Sequence, residues 1–369
     1  MYYAGNYLSI FVIAYYVSFC NNNAMKTKPV LAGLGPEELA ELLPAYPTFR
    51  SGQIHKWICG GAGTFDEMKN LPVSLRKELA ENYRVLSGLV TSELSDTDAT
   101  VKLGITLEDG AVIEAVILDD GEGRKTACLS TQAGCQMGCV FCKTGSLGYG
   151  RNLSAQEIAG QFLHLRRKAP DISRIVIMGM GEPLLNLDEL RKALSFFMDR
   201  SGLAVSKRRI TLSTCGIEKG ILDLAENGPD IRLALSLTTA RAELREKLMP
   251  AAGENPLPLL RNALLRHQKK MKRRITLEMV LLGGINTDIA GAEAAAEFAR
   301  GLDTVVNLIP WNPVDGLEFE GKPLRKPSAA EIRGFTAALE SRGLKVTRRF
   351  RKGSGISGAC GQLGVCRTF

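Results

Sequence analysis

The chain has 369 residues, 47 Lys and Arg against 39 Asp and Glu, and a formal charge of +8. With 45% hydrophobic residues, 23% charged residues and a mean hydropathy near zero, it describes a soluble globular protein and excludes a disordered one. The basic excess points to a polyanionic partner. The nine cysteines are odd in number and spread along a long chain. They argue for reduced thiols in the cytoplasm and against a secreted disulfide framework.

Residues 7–20 (YLSIFVIAYYVSFC) form an uncharged apolar run with no Lys or Arg before it, short for a membrane span and unlike a signal peptide. Charged, amphipathic sequence begins at Met25. Residues 1–24 therefore read as an over-extended start or an unstructured extension, with a membrane-proximal anchor as the alternative. Residues 25–91 carry short helical patterns broken at Pro44, Pro47, Gly60–Gly63 and Pro72, and read as a helical accessory domain. Residues 92–124 alternate like strands around Asp109-Gly110, the signature of a β-hairpin linker.

From 125 to 349 the rhythm is strand, loop, helix. Strands are expected at 125–130, 174–178, 209–213, 232–237, 274–281 and 304–309. Most are apolar on both faces, as buried parallel strands are. Capping boxes at Ser154–Glu157 and Ser328–Glu331 open two of the intervening helices. The fold class is α/β: a partial (β/α)6 barrel, whose chemistry sits at the C-terminal ends of the strands, with the small helical domain and the hairpin as additions. Residues 350–369 are a Gly- and Ser-rich tail.

Cys135, Cys139 and Cys142 form a C-x3-C-x2-C motif just after the first barrel strand. Three thiolates at this spacing can hold one 4Fe–4S cluster and leave an open iron, the place where S-adenosylmethionine (SAM) chelates. Structural zinc is the competing reading, although it normally takes four ligands and no fourth Cys or His is near in sequence. In the GMGEP loop that follows the next strand, glycines allow close backbone approach and Glu182 can accept from an ammonium group. Ser213, Ser236 and Asn312 stand at the ends of later strands.

Cys128 leads into the cysteine loop, and Cys360 lies between small residues in the tail, where a nucleophilic or redox role is expected. Cys59 and Cys215 read as small buried hydrophobes, and His55, His164 and His267 as structural. Basic runs at 166–168, 207–209, 269–274 and 348–352 fit a phosphate-tracking surface, with solvated faces as the bland alternative.

The cysteine motif, Arg151-Asn-Leu153, GMGEPLLN (179–186), SKRRITLST (206–214), NLIPWNP (307–313) and ACGQL (359–363) together resemble the RlmN-type radical SAM RNA methyltransferases, from Gly33 to Leu363. The resemblance implies that Cys135, Cys139 and Cys142 hold the cluster. It implies that Gly181, Glu182, Ser213, Ser236, Leu237 and Asn312 contact SAM. Thr238 stands on the cofactor side, where the family usually has His. Cys360 matches the methyl-accepting cysteine, Cys128 its resolving partner and Glu114 the general base.

Such an enzyme consumes two SAM per turnover. One methylates the Cys360 thiolate; the second is cleaved reductively, and the radical it yields activates that methyl for addition to the base. Glu114 then removes the ring proton, and Cys128 attacks the Cys360 sulfur to free the product. The implied substrates are carbon 2 of an adenosine in the peptidyl-transferase centre of 23S rRNA and, second, the adenosine 3′ of the tRNA anticodon. The implied partners are an electron donor such as flavodoxin or ferredoxin and no membrane, and a monomer is expected. The helical accessory domain, residues 25–91, is expected to grip RNA and to take no part in the radical chemistry.

Four positions depart from the family pattern besides Thr238: Gly283 and Thr287 replace acidic residues in LGGINT (282–287), and Gly355 and Ser357 stand where acidic residues are common in the tail. Two other functions stay in play. One is methylation of carbon 8 of the same adenosine, as in the Cfr resistance enzymes. The other is a non-catalytic iron–sulfur RNA-binding protein.

Overall fold

The computed structural model describes residues 28–348 and 352–364; the apolar run at 7–20 lies outside them. Three accessory helices come first, α1 (Pro36–Leu42), α2 (Phe49–Cys59) and α3 (Val73–Asn82). Three antiparallel strands follow, β1 (Leu89–Ser95), β2 (Val101–Thr106) and β3 (Val112–Asp119). The hairpin expected around Asp109-Gly110 is β2–β3, closed by the Leu107 N–H to Ala111 carbonyl bond. An additional strand, β1, extends it.

The parallel run starts at β4 (Lys125–Cys128), which pairs with β3 on one side. A small two-stranded ribbon, β5 (Gln132–Gly134) and β6 (Tyr149–Asn152), brackets the cysteine loop and the short helix α4 (Lys143–Ser146). The parallel strands continue as β7 (Arg174–Ile177), β8 (Ile210–Thr214), β9 (Arg232–Ser236), β10 (Ile275–Leu281) and β11 (Thr304–Pro310). The sequence-predicted strands agree with these within two residues.

A minor hairpin, β12 (Glu318–Phe319) and β13 (Lys322–Pro323), precedes β14 (Val346–Arg348). That last strand pairs in parallel with β11 and makes a seventh parallel strand beyond the six expected. The sheet order is β1-β2-β3-β4-β7-β8-β9-β10-β11-β14, so β4 and β14 do not meet and the barrel stays open.

Helices α5 (Ala155–Lys168), α6 (Leu187–Met198), α7 (Glu218–Asn227), α8 (Ala242–Leu248), α9 (Leu257–Met271), α10 (Ile289–Ala299) and α11 (Ala329–Glu340) cross between the later strands. Both predicted capping boxes form, at Ser154–Glu157 and Ser328–Glu331. The apolar core runs without a break from Leu39, Ile54 and Ile58 of the accessory helices through Phe162 and Phe197 to the barrel strands. No helix among the described residues is long and apolar enough to cross a membrane.

Candidate active site

Residues from β3 and β4 at one edge of the parallel run and from the tail beyond β14 at the other line one cavity of about 960 Å3. The sheet therefore curls around a lumen. Cys128, the last residue of β4, and Cys360, from the tail, both line it, as does Asn312 just after β11. The chain thus brings two cysteines far apart in sequence to the same space.

The cysteine loop sits at the C-terminal end of β4. Its thiols are near enough to act on one another: Cys135 and Cys142 each push the Cys139 thiol up. Burial is the larger cause there and takes Cys135 up to about 11. A bound metal reverses this, because coordination deprotonates a thiol outright.

Among the described residues no three His, Cys, Asp or Glu side chains gather for a single metal ion. An anionic cluster does fit. Arg245, on α8, is 2% exposed and has no carboxylate partner among the described residues; its guanidinium donates to the neutral backbone carbonyls of Ser236, Leu237 and Cys215 and feels the charge of the Cys139 and Cys215 sulfurs. A buried cation without a carboxylate is costly unless its surroundings supply negative charge, and a thiolate-bound iron–sulfur centre supplies it.

Neither Arg245 nor the placement of Cys215 follows from the sequence. The Cys215 Sγ lies 3.2 Å from the Met137 sulfur inside the cysteine loop, so this cysteine borders the site although it was expected only as core. The nearest available signal was an arginine amid the apolar positions of α8, which by itself indicates nothing.

Glu182 is buried, and burial raises its pKa against the pull of backbone donors. Its Oε1 accepts from the Leu184 N–H at 3.0 Å and its Oε2 from the Cys215 N–H at 2.7 Å. Each oxygen keeps capacity for a further donor. Gly181 has a φ of +98°, and a Cβ there would fall 2.8 Å from the Gln132 backbone nitrogen. The glycine thus admits the neighbouring β5 backbone rather than leaving open space for a ligand.

Ser213 and Ser236 share a hydrogen bond of 3.1 Å at adjacent strand ends. Asn312 donates to the Cys360 carbonyl at 3.0 Å, while its Oδ1 is buried without a partner. An orphaned acceptor of this kind costs about 1–3 kcal/mol and suits a site that awaits a polar ligand. Leu237 and Thr238 are different: neither has exposed surface and neither lines the cavity, and the Thr238 hydroxyl is also unpartnered.

Glu114, on β3, is buried beside Lys102 of β2, with 2.8 Å between Oε1 and Nζ. Its Oε2 accepts from the Gly364 N–H at 2.6 Å. The carboxylate is therefore tied to the tail. The rest of the tail is equally held. Gly353 and Gly355 donate their N–H groups to Asp98 and Asp96, both at 2.8 Å, and Lys102 donates to the Ser357 carbonyl. Lys143 N–H donates to the Gly361 carbonyl and the Thr144 hydroxyl to that of Leu363. The segment carrying Cys360 is thus fastened both to the antiparallel strands and to the cysteine loop.

Residues 129–291 match the radical SAM superfamily. A Treponema denticola protein named as a probable dual-specificity RNA methyltransferase RlmN is 48% identical over 339 residues, covering 92% of this chain and 96% of its own. Its namesake from Treponema pallidum is 45% identical over 334 residues, covering 90% and 97%. The crystal structure of a radical SAM methyltransferase from Sphaerobacter thermophilus superposes with a TM-score of 0.86 at 36% identity, covering 91% of this chain and 99% of that one.

Proposed function

The chain belongs to the RlmN family of radical SAM RNA methyltransferases, and from that premise we propose that it methylates carbon 2 of an adenosine in 23S rRNA through a methylated Cys360. The adenosine 3′ of the tRNA anticodon is the second proposed substrate. Membership of the superfamily implies SAM and a 4Fe–4S cluster, which together supply the methyl group and one-electron reductive cleavage. Cys135, Cys139 and Cys142 hold the cluster. Glu182 and Asn312 receive the polar end of SAM beside Gly181, Ser213 and Ser236.

The Cys360 thiolate takes the methyl carbon from the SAM sulfur, which leaves as a thioether. That methyl gives up one hydrogen atom to the radical from a second SAM, and its carbon bonds to the base and becomes the bridge. Glu114, released from the Gly364 N–H as the tail shifts, takes the ring proton, and the adduct returns its unpaired electron to the one-electron donor. The Cys128 thiolate then attacks the Cys360 sulfur. The bridge carbon leaves with the electron pair of its S–C bond and is protonated to the methyl group, and a Cys128–Cys360 disulfide remains. The reading is completed by a cytoplasmic monomer and a flavodoxin- or ferredoxin-type donor.

The observation that carries this mechanism is that Cys128 and Cys360 line one cavity. The experiment compares Cys360→Ala and Cys128→Ala after turnover with labelled RNA on a denaturing gel. Cys360→Ala is expected to give neither methylated enzyme nor adduct, and Cys128→Ala to accumulate a covalent protein–RNA band. Loss of the band from a cluster-loaded Cys128→Ala enzyme with methylated Cys360 would remove the resolving role.

A further inference from the structure

The structure treats the four basic runs of the sequence differently. In 166–168, Arg167 pairs with Glu67 at 3.1 Å and Lys168 with Glu93 at 2.6 Å. In 269–274, Lys270 pairs with Glu226, Arg273 with Asp230, and Arg274 with Asp303 at 2.8 Å. These two runs are largely neutralised within the protein.

The other two converge. Arg208 and Arg209 come from just before β8, and Arg348 and Lys352 flank the start of the tail; all four line the lumen. Arg174 and Arg232, the first residues of β7 and β9, join them. The five arginines are exposed, and among the described residues none of them has an ion-pair partner. The acidic residues on the same cavity are Asp119 and Asp120; Asp119 accepts from the Gly121 N–H and Asp120 is spent on Arg124.

Arg174, Arg209 and Arg232 mark the N-terminal ends of the parallel strands, the end opposite the cysteine loop. Arg174 is paired in register with Thr126, and Val176 with Cys128. Cys128 therefore lies two residues deeper into the lumen, roughly 7 Å at the rise of a parallel strand. Unpaired guanidinium groups at the ends of neighbouring strands suit backbone phosphates, and a base held below them must leave its stack to reach the cysteines.

We propose that this arginine lip grips the RNA backbone, so that the target base enters the lumen from the N-terminal end of the strands and meets Cys360 and Cys128 from the side opposite the cluster. The inference rests on the RNA-methylation reading. An acidic protein could also answer five unpaired arginines. However, an electron donor needs the cluster end of the barrel, so the lip favours RNA.

The test uses the full, cluster-loaded chain and a fluorescein-labelled single-stranded RNA of about 20 nucleotides, read by anisotropy across a salt series. Arg209→Gln and Arg232→Gln are each expected to weaken binding about 3- to 10-fold and to lower the slope of log K against log salt by about 1. Arg333→Gln, an exposed position on α11 away from the cavity, is the unchanged control. Retained cluster absorbance and uncoupled SAM cleavage show that a variant is folded.

If the parent binds RNA and the lip variants bind it equally well, the lip is not the RNA path and this inference alone fails. Should the parent bind no RNA at all, the methyltransferase reading fails with it. If the lip variants keep RNA binding but are reduced more slowly by flavodoxin, the surface belongs to a protein partner and the proposal is overturned.

Discussion

His267, on α9, is 1% exposed and its Nδ1 has no hydrogen-bond partner. Burial lowers its pKa to about 4, with Asp230 acting the other way. The fold accepts the neutral ring, whereas the unfolded chain binds a proton near pH 6.5. Stability from this group is therefore complete above about 6.5 and falls as pH drops towards 4, a loss of about 3 kcal/mol. His267→Leu is expected to flatten the acid slope, read as urea midpoints at neutral and acid pH. An equally steep slope in the variant would place the titration elsewhere. The sequence reading made this histidine structural, and its burial agrees. It gave no sign of Arg245 or of Cys215, because what distinguishes them is proximity to Cys139 and Met137 created by tertiary packing. The cysteine motif was legible because iron ligation demands a fixed local spacing, whereas a buried counter-charge has none.

The parallel strands were legible for the same kind of reason, since burial on both faces writes a run of Ile, Val and Leu. β1 and β14 were not. β1 is exposed along its whole length, and β14 has three residues, one of them an arginine. The tail was readable as a loop but not as a fastened one, because its partners Asp96 and Asp98 lie some 255 residues away in the β1–β2 turn. That pairing also gives a physical account of Gly355, which stands where the family commonly has an acid. A Cβ at Gly355 would lie 2.9 Å from an Asp96 oxygen, so an acid there would face a like charge. In this chain the carboxylates sit on the turn instead and accept from the tail backbone. Gly355→Asp is expected to loosen the tail and make Cys360 react several-fold faster with iodoacetamide, and Asp96→Asn in the same chain to restore the slow rate. Alkylation at the parental rate in Gly355→Asp would show that this clamp does not position the tail.

At the scale of the whole molecule, the accessory helices are less separable than their sequence suggests. His55 of α2 is 1% exposed and its Nε2 lies 2.9 Å from the Asp199 carboxylate beyond α6, with its ring edge-on to Phe196. The chain also comes close to α5: a Cβ on Gly160 would fall 2.5 Å from the Ser87 hydroxyl. With Leu39, Ile54 and Ile58 fully buried in the same core as the barrel, each large side chain removed forfeits about 1.5–3 kcal/mol of burial. A module that only gripped RNA could be deleted with the radical chemistry intact. A module that completes the core could not. The geometry supports the second case. A chain starting at Leu86 is expected to lose its cooperative thermal transition and its cluster together, whereas His55→Ala in the full chain should lower the melting temperature while cluster absorbance persists. Truncated protein that melts at the parental temperature with its cluster in place would instead establish the helices as an independent domain.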